Sequence, residues 1–342
     1  MEFSSKWFEE LDIEEIKGIC TVFNKAFLTG SSSGIAFKRS VKDWLKRYSI
    51  PNKVKIIYLH DNKHIIATAV ITFKEIYLNG RSYTSAFVDD VAVLPQFQRQ
   101  GLGKKIFEKV VEECRESKVD FAALFAERGG VAWKIYKKYG FITLFNPSML
   151  IKVVNKKRIA SAITSYPMKI GLYLLSLIVM KEPPFGEAET VSPEDAQEVY
   201  RKLGPNMNLY SHLNEKFFER TLITAKLNNE CIATASIREM WSKRNIKIKA
   251  GIINNIVFSK TDKLPQLLSF LSKKLREHEV HIIFSASSSP NLTEIFKHIG
   301  FLSLKNKISA MFLPLGISLR KLGKAIRSKT IFTPCEHIFG DW

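Results

Sequence analysis

The stretch at residues 88–104 constrains the fold of this chain more than any other. An apolar run ends there at a proline, and a polar loop with two glycines follows. An apolar stripe at Ile106, Val110 and Val111 then predicts a helix over residues 105–114. Glycine lets a backbone turn tightly and approach a ligand closely. The N–H groups of such a loop and of the first helical turn favour an anion. The stretch therefore predicts a strand–loop–helix unit that holds a phosphate group.

The spacing of the loop narrows the class of phosphate site. Gln98-x-x-Gly101-x-Gly103 lacks the Gly-Lys-Ser/Thr ending of a P-loop, and it is not the Gly-x-Gly-x-x-Gly of dinucleotide-binding folds. It resembles the acetyl-CoA signature of the GNAT N-acetyltransferase superfamily.

A second motif lies where that superfamily expects it. Residues 121–126 are typical of a strand and residues 131–139 of a helix. Ala132 and the run Tyr136-x-x-x-Gly140-Phe141 resemble the superfamily's Ala…Tyr-x-x-x-Gly-Phe motif.

The resemblance implies an α/β (α+β) fold with a mixed, mostly antiparallel central sheet flanked by helices. It implies acetyl-CoA as co-substrate and direct attack of a primary amine on the thioester, with no covalent enzyme intermediate. The strand and loop that would position acetyl-CoA comprise Val91, Ala92, Val93, Gln98, Arg99, Gln100, Gly101, Leu102, Gly103 and Lys104.

Tyr136 is the residue that the motif places beside the sulfur as general acid. A phenol with a pKa near 10 is protonated at neutral pH and can donate a proton to the leaving thiolate. The alternative is an aromatic residue of the helix that only packs on the sheet, which is the role we expect for Tyr139.

The general base is less well defined by the sequence. Asp89 matches the position at which some polyamine acetyltransferases carry a glutamate that deprotonates the amine through water. Because successive strand residues face opposite sides, we expect only one of Asp89 and Asp90 to face the acceptor. Glu127, at the end of the next strand, and a base supplied elsewhere, such as the terminal carboxylate, are the alternatives. Gly129 stands where the family often has asparagine, so a contact made by that side chain must come from another residue.

The second half of the chain resembles the first, which predicts two tandem GNAT folds. Ile66-Ala67-Thr68-Ala69 returns at 232–235, the 87–91 segment at 252–256 and the 138–141 segment at 298–301. We expect a catalytic domain at 1–155, a linker with an apolar helix at 156–186 and a degenerate GNAT-like domain at 187–342.

Three features predict that the second copy is inactive. No glycine is present at 259–265, where the phosphate loop belongs. Phe296 stands at the position of Tyr136, and Asn254-Asn255 stand at the positions of Asp89 and Asp90. Phenylalanine has no proton to donate, and asparagine cannot act as a base.

Composition limits the partners and the compartment. The net charge of +19 favours an anionic partner, such as an acidic acceptor or an anionic surface, and leaves nucleic acid open without favouring it. The apolar run at 170–180 is about half the roughly 20 residues of a membrane-spanning helix, so no transmembrane segment is expected. Four cysteines without metal spacing and the absence of a signal core predict a cytoplasmic protein. His278 and His281 lie at a helix-to-strand transition without an obvious third ligand, so we expect no metal.

Three other functions remain compatible with the sequence. They are a Fem-like transferase that takes its acyl group from aminoacyl-tRNA, transfer of a longer acyl chain, and a non-catalytic CoA sensor or scaffold. The sequence leaves the amine acceptor open among small molecules and peptides, and it does not define the oligomeric state.

Overall fold

The computed structural model describes residues 1–30, 34–48, 53–62, 64–163, 186–207, 209–211, 213–304 and 308–327. The apolar run at 170–180, residues 164–185 of the predicted linker and residues 328–342 with the terminal carboxylate lie outside the described residues. The described residues contain no helix long and apolar enough to cross a membrane.

The strands are β1 Glu2–Trp7, β2 Ile35–Phe37, β3 Lys53–Asp61, β4 His64–Leu78, β5 Arg81–Val93, β6 Phe121–Glu127, β7 Ile142–Phe145, β8 Ser148–Val153, β9 Glu189–Thr190, β10 Leu209–Tyr210, β11 Ile223–Leu227, β12 Cys231–Ser242, β13 Lys247–Phe258, β14 Ile282–Ser287, β15 Leu302–Leu304 and β16 Ile308–Pro314. The α-helices are α1 Ile13–Gly30, α2 Val41–Tyr48, α3 Leu102–Glu116, α4 Val131–Lys138, α5 Lys156–Ala162, α6 Pro193–Leu203, α7 Glu215–Phe218, α8 Leu264–Glu277, α9 Pro290–His298 and α10 Leu319–Arg327.

Local sequence chemistry explains several of these boundaries. Asn79 and Gly80 adopt φ of +50° and +74°, the left-handed conformation that suits the two-residue turn between β4 and β5. Ser192 caps α6 by accepting a hydrogen bond from the Asp195 N–H, with Pro193 in the first turn. Helix α3 begins three residues earlier than predicted, because Gly101 with φ +81° is its N-cap.

The first compact unit comprises described residues 1–30, 39–146 and 308–327. Its strands follow the order β1-β3-β4-β5-β6-β16-β7. Only the β5–β6 pair is parallel among these neighbours, so the sheet is mixed and mostly antiparallel, as predicted. Helices α1, α2, α3 and α4 contribute buried side chains to its apolar clusters.

The second unit comprises described residues 34–38 and 147–304. Its strands follow the order β15-β8-β14-β13-β12-β11-β9, and β2 pairs with β12. The β13–β14 pair is parallel, as the β5–β6 pair is in the first unit. Helix α5 packs on this sheet with Ile159 and Ala162 buried.

The two units are not the contiguous ranges that the sequence predicts. Strand β16, from the end of the chain, lies between β6 and β7 in the first sheet. Strand β8, which the sequence assigns to the N-terminal domain, lies between β14 and β15 in the second sheet. A boundary at residue 155 therefore does not separate the two sheets. Backbone pairing explains the difference, because each of these strands bonds to two neighbours that are distant in sequence.

Candidate functional site

The parallel strands β5 and β6 separate in the middle of the first sheet. They pair from Ser85 with Phe121 to Val88 with Leu124. Beyond Val88, β5 continues to Val93 beside β4, whereas β6 continues to Glu127 beside β16. Among the described residues, no strand pairs with the β6-facing edge of β5 from Asp89 onward. The separation leaves backbone hydrogen-bonding groups at residues 89–93 available to an extended ligand.

A β-bulge accompanies this separation. Val70 pairs with Asp89 and Thr68 with Ala92, so β5 carries one residue more than β4 between these pairs. Asp90 lies in the bulge with φ +48°, a left-handed conformation that aspartate and asparagine tolerate better than most residues.

The bulge changes the expected orientation of the two aspartates. Both Asp89 and Asp90 contact the guanidinium of Arg47, at 3.1 and 3.3 Å. Both side chains reach the same guanidinium because the alternation of side chains fails where a bulge interrupts the strand. That only one of the two faces the acceptor stays a prediction. Asp90 also lies 3.6 Å from Arg39.

The two carboxylates differ in their remaining capacity. Asp90 approaches Arg39 through Oδ1 and Arg47 through Oδ2, and its side chain is 6% exposed. Asp89 contacts Arg47 through Oδ2, and its side chain is 12% exposed. Its Oδ1 has no partner among the described residues. Asp89 is therefore the carboxylate with an oxygen left for another group.

Burial raises the pKa of Asp89 to about 6. The positive charge of Arg47 opposes this shift, and the negative charge of Asp90 adds to it. A carboxylate with such a pKa is mostly ionised at pH 7 and is a stronger base than an exposed aspartate.

Sequence reasoning missed the two arginines and Tyr48. Arg47 lies on α2 with Trp44 and Tyr48, and all three side chains are buried. The sequence places an arginine on the apolar face of an amphipathic helix. That position indicates an anionic partner nearby, because a buried cation needs one. The Tyr48 hydroxyl is buried without a hydrogen-bond partner among the described residues, and burial raises its pKa.

The predicted phosphate loop lies between the end of β5 and α3. The Gln98 side-chain amide donates to the Val93 carbonyl at 3.0 Å, which ties the loop to the strand. The first backbone bonds of the helix run from the N–H groups of Lys104 and Lys105 to the Gly101 carbonyl. Within the described part of the chain, the five N–H groups of residues 99–103 have no hydrogen-bond partner. They form a continuous set of donors at a helix N-terminus.

The two glycines of the loop meet different requirements. Gly101 has φ +81°, a conformation that a side chain would strain. Gly103 has no such backbone requirement, and a Cβ there would lie 3.9 Å from the nearest atom, on Val93. The protein itself leaves room for a side chain at Gly103, so its absence keeps space open above the loop for a ligand.

Tyr136 lies on α4 and is buried against Phe107, with ring centroids 4.2 Å apart. Burial raises the pKa of its hydroxyl, which keeps the phenol protonated. Tyr139 also contacts Phe107, at 5.6 Å, and its hydroxyl is buried without a partner among the described residues. The structure thus leaves both tyrosines capable of donating a proton.

Glu127 lies at the end of β6, opposite Ile308 of β16, and is exposed. Its position follows the sequence-based expectation, but no ion pair holds its carboxylate among the described residues. The described residues contain no group of three or more His, Cys, Asp or Glu side chains that could hold a metal ion.

The second unit has the same backbone features without the same side chains. Asn255 lies in a bulge of β13 with φ +49°, as Asp90 does in β5. Phe301 N–H donates to the Phe296 carbonyl as Phe141 N–H does to Tyr136, with Gly300 and Gly140 both near φ +90°.

Buried neutral contacts replace the charged cluster in the second unit. Thr234 donates to Asn254 Oδ1 at 2.5 Å and accepts from Asn255 at 2.9 Å. Thr234 pairs with Asn254 beside the bulge of the second unit, as Val70 pairs with Asp89 beside the bulge of the first. When the two bulges are aligned, the repeated Ile-Ala-Thr-Ala segments are therefore offset by two residues. Pro265 in the first turn of α8 removes a donor that α3 has.

Comparison with known proteins matches the first unit to a family. Residues 8–143 match the family described as an acetyltransferase (GNAT) domain. An uncharacterized N-acetyltransferase ycf52 of Porphyra purpurea is 29% identical over 106 residues, which are 29% of this chain and 58% of that protein. The chain spans 32% to 58% of the length of the curated relatives it matches.

Solved structures share the fold across both units. Saccharomyces cerevisiae N-myristoyltransferase with bound myristoyl-CoA and inhibitors has a TM-score of 0.71 at 8% identity, covering 91% of this chain and 80% of that chain. A putative acetyltransferase from Pyrococcus horikoshii has a TM-score of 0.56 at 13% identity, covering 97% of this chain and 93% of that chain. At these identities the likeness is one of fold.

Proposed function

Because residues 8–143 form a GNAT acetyltransferase domain, we propose that the protein transfers an acetyl group from acetyl-CoA to a primary amine. The amine nitrogen attacks the thioester carbonyl and loses a proton as the amide forms. The C–S bond breaks, and the leaving thiolate takes up a proton to give the free thiol of CoA. The first unit carries this chemistry, and the second unit is a degenerate copy that does not bind acetyl-CoA.

One observation carries the proposal: among the described residues, the five consecutive N–H groups of residues 99–103 have no partner, and they lie next to an edge of β5 that no described strand pairs with. Donors of this kind at a helix N-terminus favour a pyrophosphate. The edge at residues 89–93 suits the extended, amide-containing arm of CoA, because it offers backbone donors and acceptors along one line. Gly103 keeps the space above the loop open.

Asp89 and Tyr136 supply the proton transfers in this proposal. Asp89 takes a proton from the ammonium, directly or through water, with the oxygen that Arg47 leaves available. Its raised pKa suits this role near neutral pH. Tyr136, kept protonated by burial, gives a proton to the thiolate of CoA. Glu127 is the alternative base, and it is the weaker candidate because its exposed carboxylate is held by no ion pair among the described residues.

Calorimetric titration of acetyl-CoA into the wild type and Gly103→Glu tests the proposal. The new carboxylate would lie where the pyrophosphate is expected, and the Gly103 backbone accepts a side chain. Gly323→Glu is the matched control, because it adds the same charge at a glycine of α10 with no atom within 4 Å of its Cβ position. We expect single-site binding to the wild type and the control, and loss of binding in Gly103→Glu.

Absence of acetyl-CoA binding to the wild type would refute the proposal. Myristoyl-CoA and other longer acyl-CoAs are titrated alongside. A marked preference for one of them would mean that the acyl donor is not acetyl-CoA, while the loop at 98–104 would still be the CoA site. An acceptor screen with amines of small molecules and peptides then follows, with free CoA release as the readout.

A further inference from the structure

The second unit contains an open cavity of about 790 Å³ that has no role in the proposed acetyl transfer. It lies where β13 begins, where α8 ends and where β8 leads into α5. Six cationic side chains line it: Lys156, Lys157, Arg158, Lys247, Lys249 and Arg276. Glu279 is the one carboxylate among the lining residues.

Six cations and one carboxylate among its lining residues give this cavity, which we call the basic cavity, an excess of positive charge. Glu239 pairs with Lys247 from outside the lining, and the Arg158 side chain donates to the Lys247 carbonyl at 3.1 Å. These contacts hold Lys247 and Arg158 in place and bring one further carboxylate, that of Glu239, to the lining cations. Like charges gathered in a concave site repel one another and focus a positive potential there.

The floor of the basic cavity is held rigidly around His281. Its backbone N–H donates to the Lys249 carbonyl at 2.7 Å, and its Nδ1 accepts from the Lys249 N–H at 2.9 Å. Val154 and Asn155 both donate their N–H groups to the His281 carbonyl. Because Nδ1 is an acceptor, the neutral ring carries its proton on Nε2, which is a further donor.

The first unit has the same backbone arrangement around Asp120. The Asp120 N–H donates to the Thr84 carbonyl at 2.9 Å, and its carboxylate accepts from the Thr84 N–H at 2.7 Å. Leu315 and Gly316 donate their N–H groups to the Asp120 carbonyl. His281 and Lys249 therefore occupy the places of Asp120 and Thr84.

This equivalence shows that the fold does not require the cations. We count along the chain from the matched positions. Residues 156–158 then correspond to Ile317, Ser318 and Leu319, and Lys247 and Lys249 correspond to Ser82 and Thr84. The residues equivalent to five of the six cations are therefore neutral. The same architecture is stable with an aspartate on its floor and neutral side chains around it. The positive charge is thus a property added to the second unit.

We propose that the basic cavity binds a ligand carrying two or more phosphate groups. Clustered lysines and arginines, together with a histidine donor, match the several oxygens and the charge of such a ligand. The concave shape and the volume fit a compact polyphosphate or the headgroup of a phosphorylated lipid. This proposal is independent of acetyl transfer, since none of its residues belongs to the acetyl-CoA site.

A triple substitution with residues taken from the first unit tests the proposal. Lys157→Ser, Lys247→Ser and Lys249→Thr introduce the side chains that the equivalent positions carry, so the fold should accept them. The control is Lys202→Gln, Lys260→Gln and Lys297→Gln, which removes the same charge from exposed lysines elsewhere in this unit.

Tripolyphosphate in solution is titrated into the wild type and both triple variants by calorimetry. A second arm sediments vesicles of phosphatidylcholine with and without a phosphatidylinositol bisphosphate, which separates a soluble ligand from a lipid headgroup. In at least one arm we expect the cavity variant to lose about tenfold or more in affinity and the control to stay within about twofold of the wild type.

Because the loop at 98–104 also offers donors to phosphate, the comparison of the two triple variants carries the test. Equal losses in both would show attraction to overall charge and overturn the proposal, as would unchanged binding in the cavity variant. Absence of binding by the wild type in both arms would overturn it too. So would a single-stranded RNA that binds the wild type and neither phosphate probe, because that partner belongs to another class.

Discussion

Asp90 and Asn255 occupy the same kind of bulge in the two sheets, with φ of +48° and +49°. Each follows a residue that pairs with the neighbouring antiparallel strand, Asp89 with Val70 and Asn254 with Thr234. The two units share the backbone conformation at this point and differ in charge. The bulge therefore belongs to the fold, whereas the carboxylates belong to the first unit alone.

The first prediction concerns the bulge itself. Asp90→Asn and Asp90→Ala both remove the charge that faces Arg39 and Arg47, so both should destabilise the protein. Asparagine tolerates the left-handed conformation and alanine does not, at a cost of about 1 kcal/mol. Urea unfolding should show Asp90→Ala to be less stable than Asp90→Asn by that amount. Equal free energies of unfolding would contradict a conformational role for this residue.

The second prediction concerns Asp89 as general base. With its pKa raised to about 6, kcat/KM should fall as the pH drops below about 6, because protonation removes the base. Asp89→Asn should lower kcat by about 10²- to 10⁴-fold and abolish this limb of the profile. Steady-state rates between pH 5 and pH 9 check both effects. If the pH dependence of kcat/KM is unchanged in the variant, Asp89 is not the general base, and Glu127 or another group has that role.

The third prediction uses Arg47 to move that limb. The positive charge of Arg47 lowers the pKa of Asp89. Arg47→Met should therefore shift the acidic limb of kcat/KM above pH 6 while leaving a measurable maximal rate. Thermal unfolding of the variant shows whether it remains folded under assay conditions. A limb that stays in place or moves to lower pH would disprove the coupling between Arg47 and the titrating group.

The fourth prediction separates two tyrosines of one helix segment. Tyr136→Phe should lower kcat without raising the KM for acetyl-CoA, because the hydroxyl acts on the leaving thiolate. Tyr139→Phe is the matched control, since both rings contact Phe107 and each substitution removes one phenol hydroxyl. The control should keep its kcat. If the two variants behave alike, Tyr136 is a packing residue.

The fifth prediction tests how the chain divides. A chain ending at residue 155 lacks β16, which pairs with both β6 and β7. It also retains β8 without its partners β14 and β15. We expect it to be unfolded or aggregated by circular dichroism and size-exclusion chromatography. A chain ending at residue 327 keeps every described strand and is the control. A well-folded 1–155 fragment would show that β16 is dispensable.

Much of the site could be predicted from local sequence because its chemistry is local. The Gln98-x-x-Gly101-x-Gly103 spacing predicts the loop, since a positive φ at Gly101 and an open position at Gly103 are properties of single residues. Asn79-Gly80 predicts its turn for the same reason. Tyr136 and Phe296 could be matched because each lies four residues before a glycine with positive φ.

Tertiary structure alone decided which strands pair and which charges meet. The placement of β16 beside β6 and of β8 beside β14 depends on contacts between residues at least 129 positions apart, which no local pattern specifies. The bulge turned Asp89 and Asp90 toward the same arginine, and the packing of α2 brought Arg47 to them. The raised pKa of Asp89 follows from that burial, because desolvation depends on the surrounding fold rather than on neighbours in the sequence.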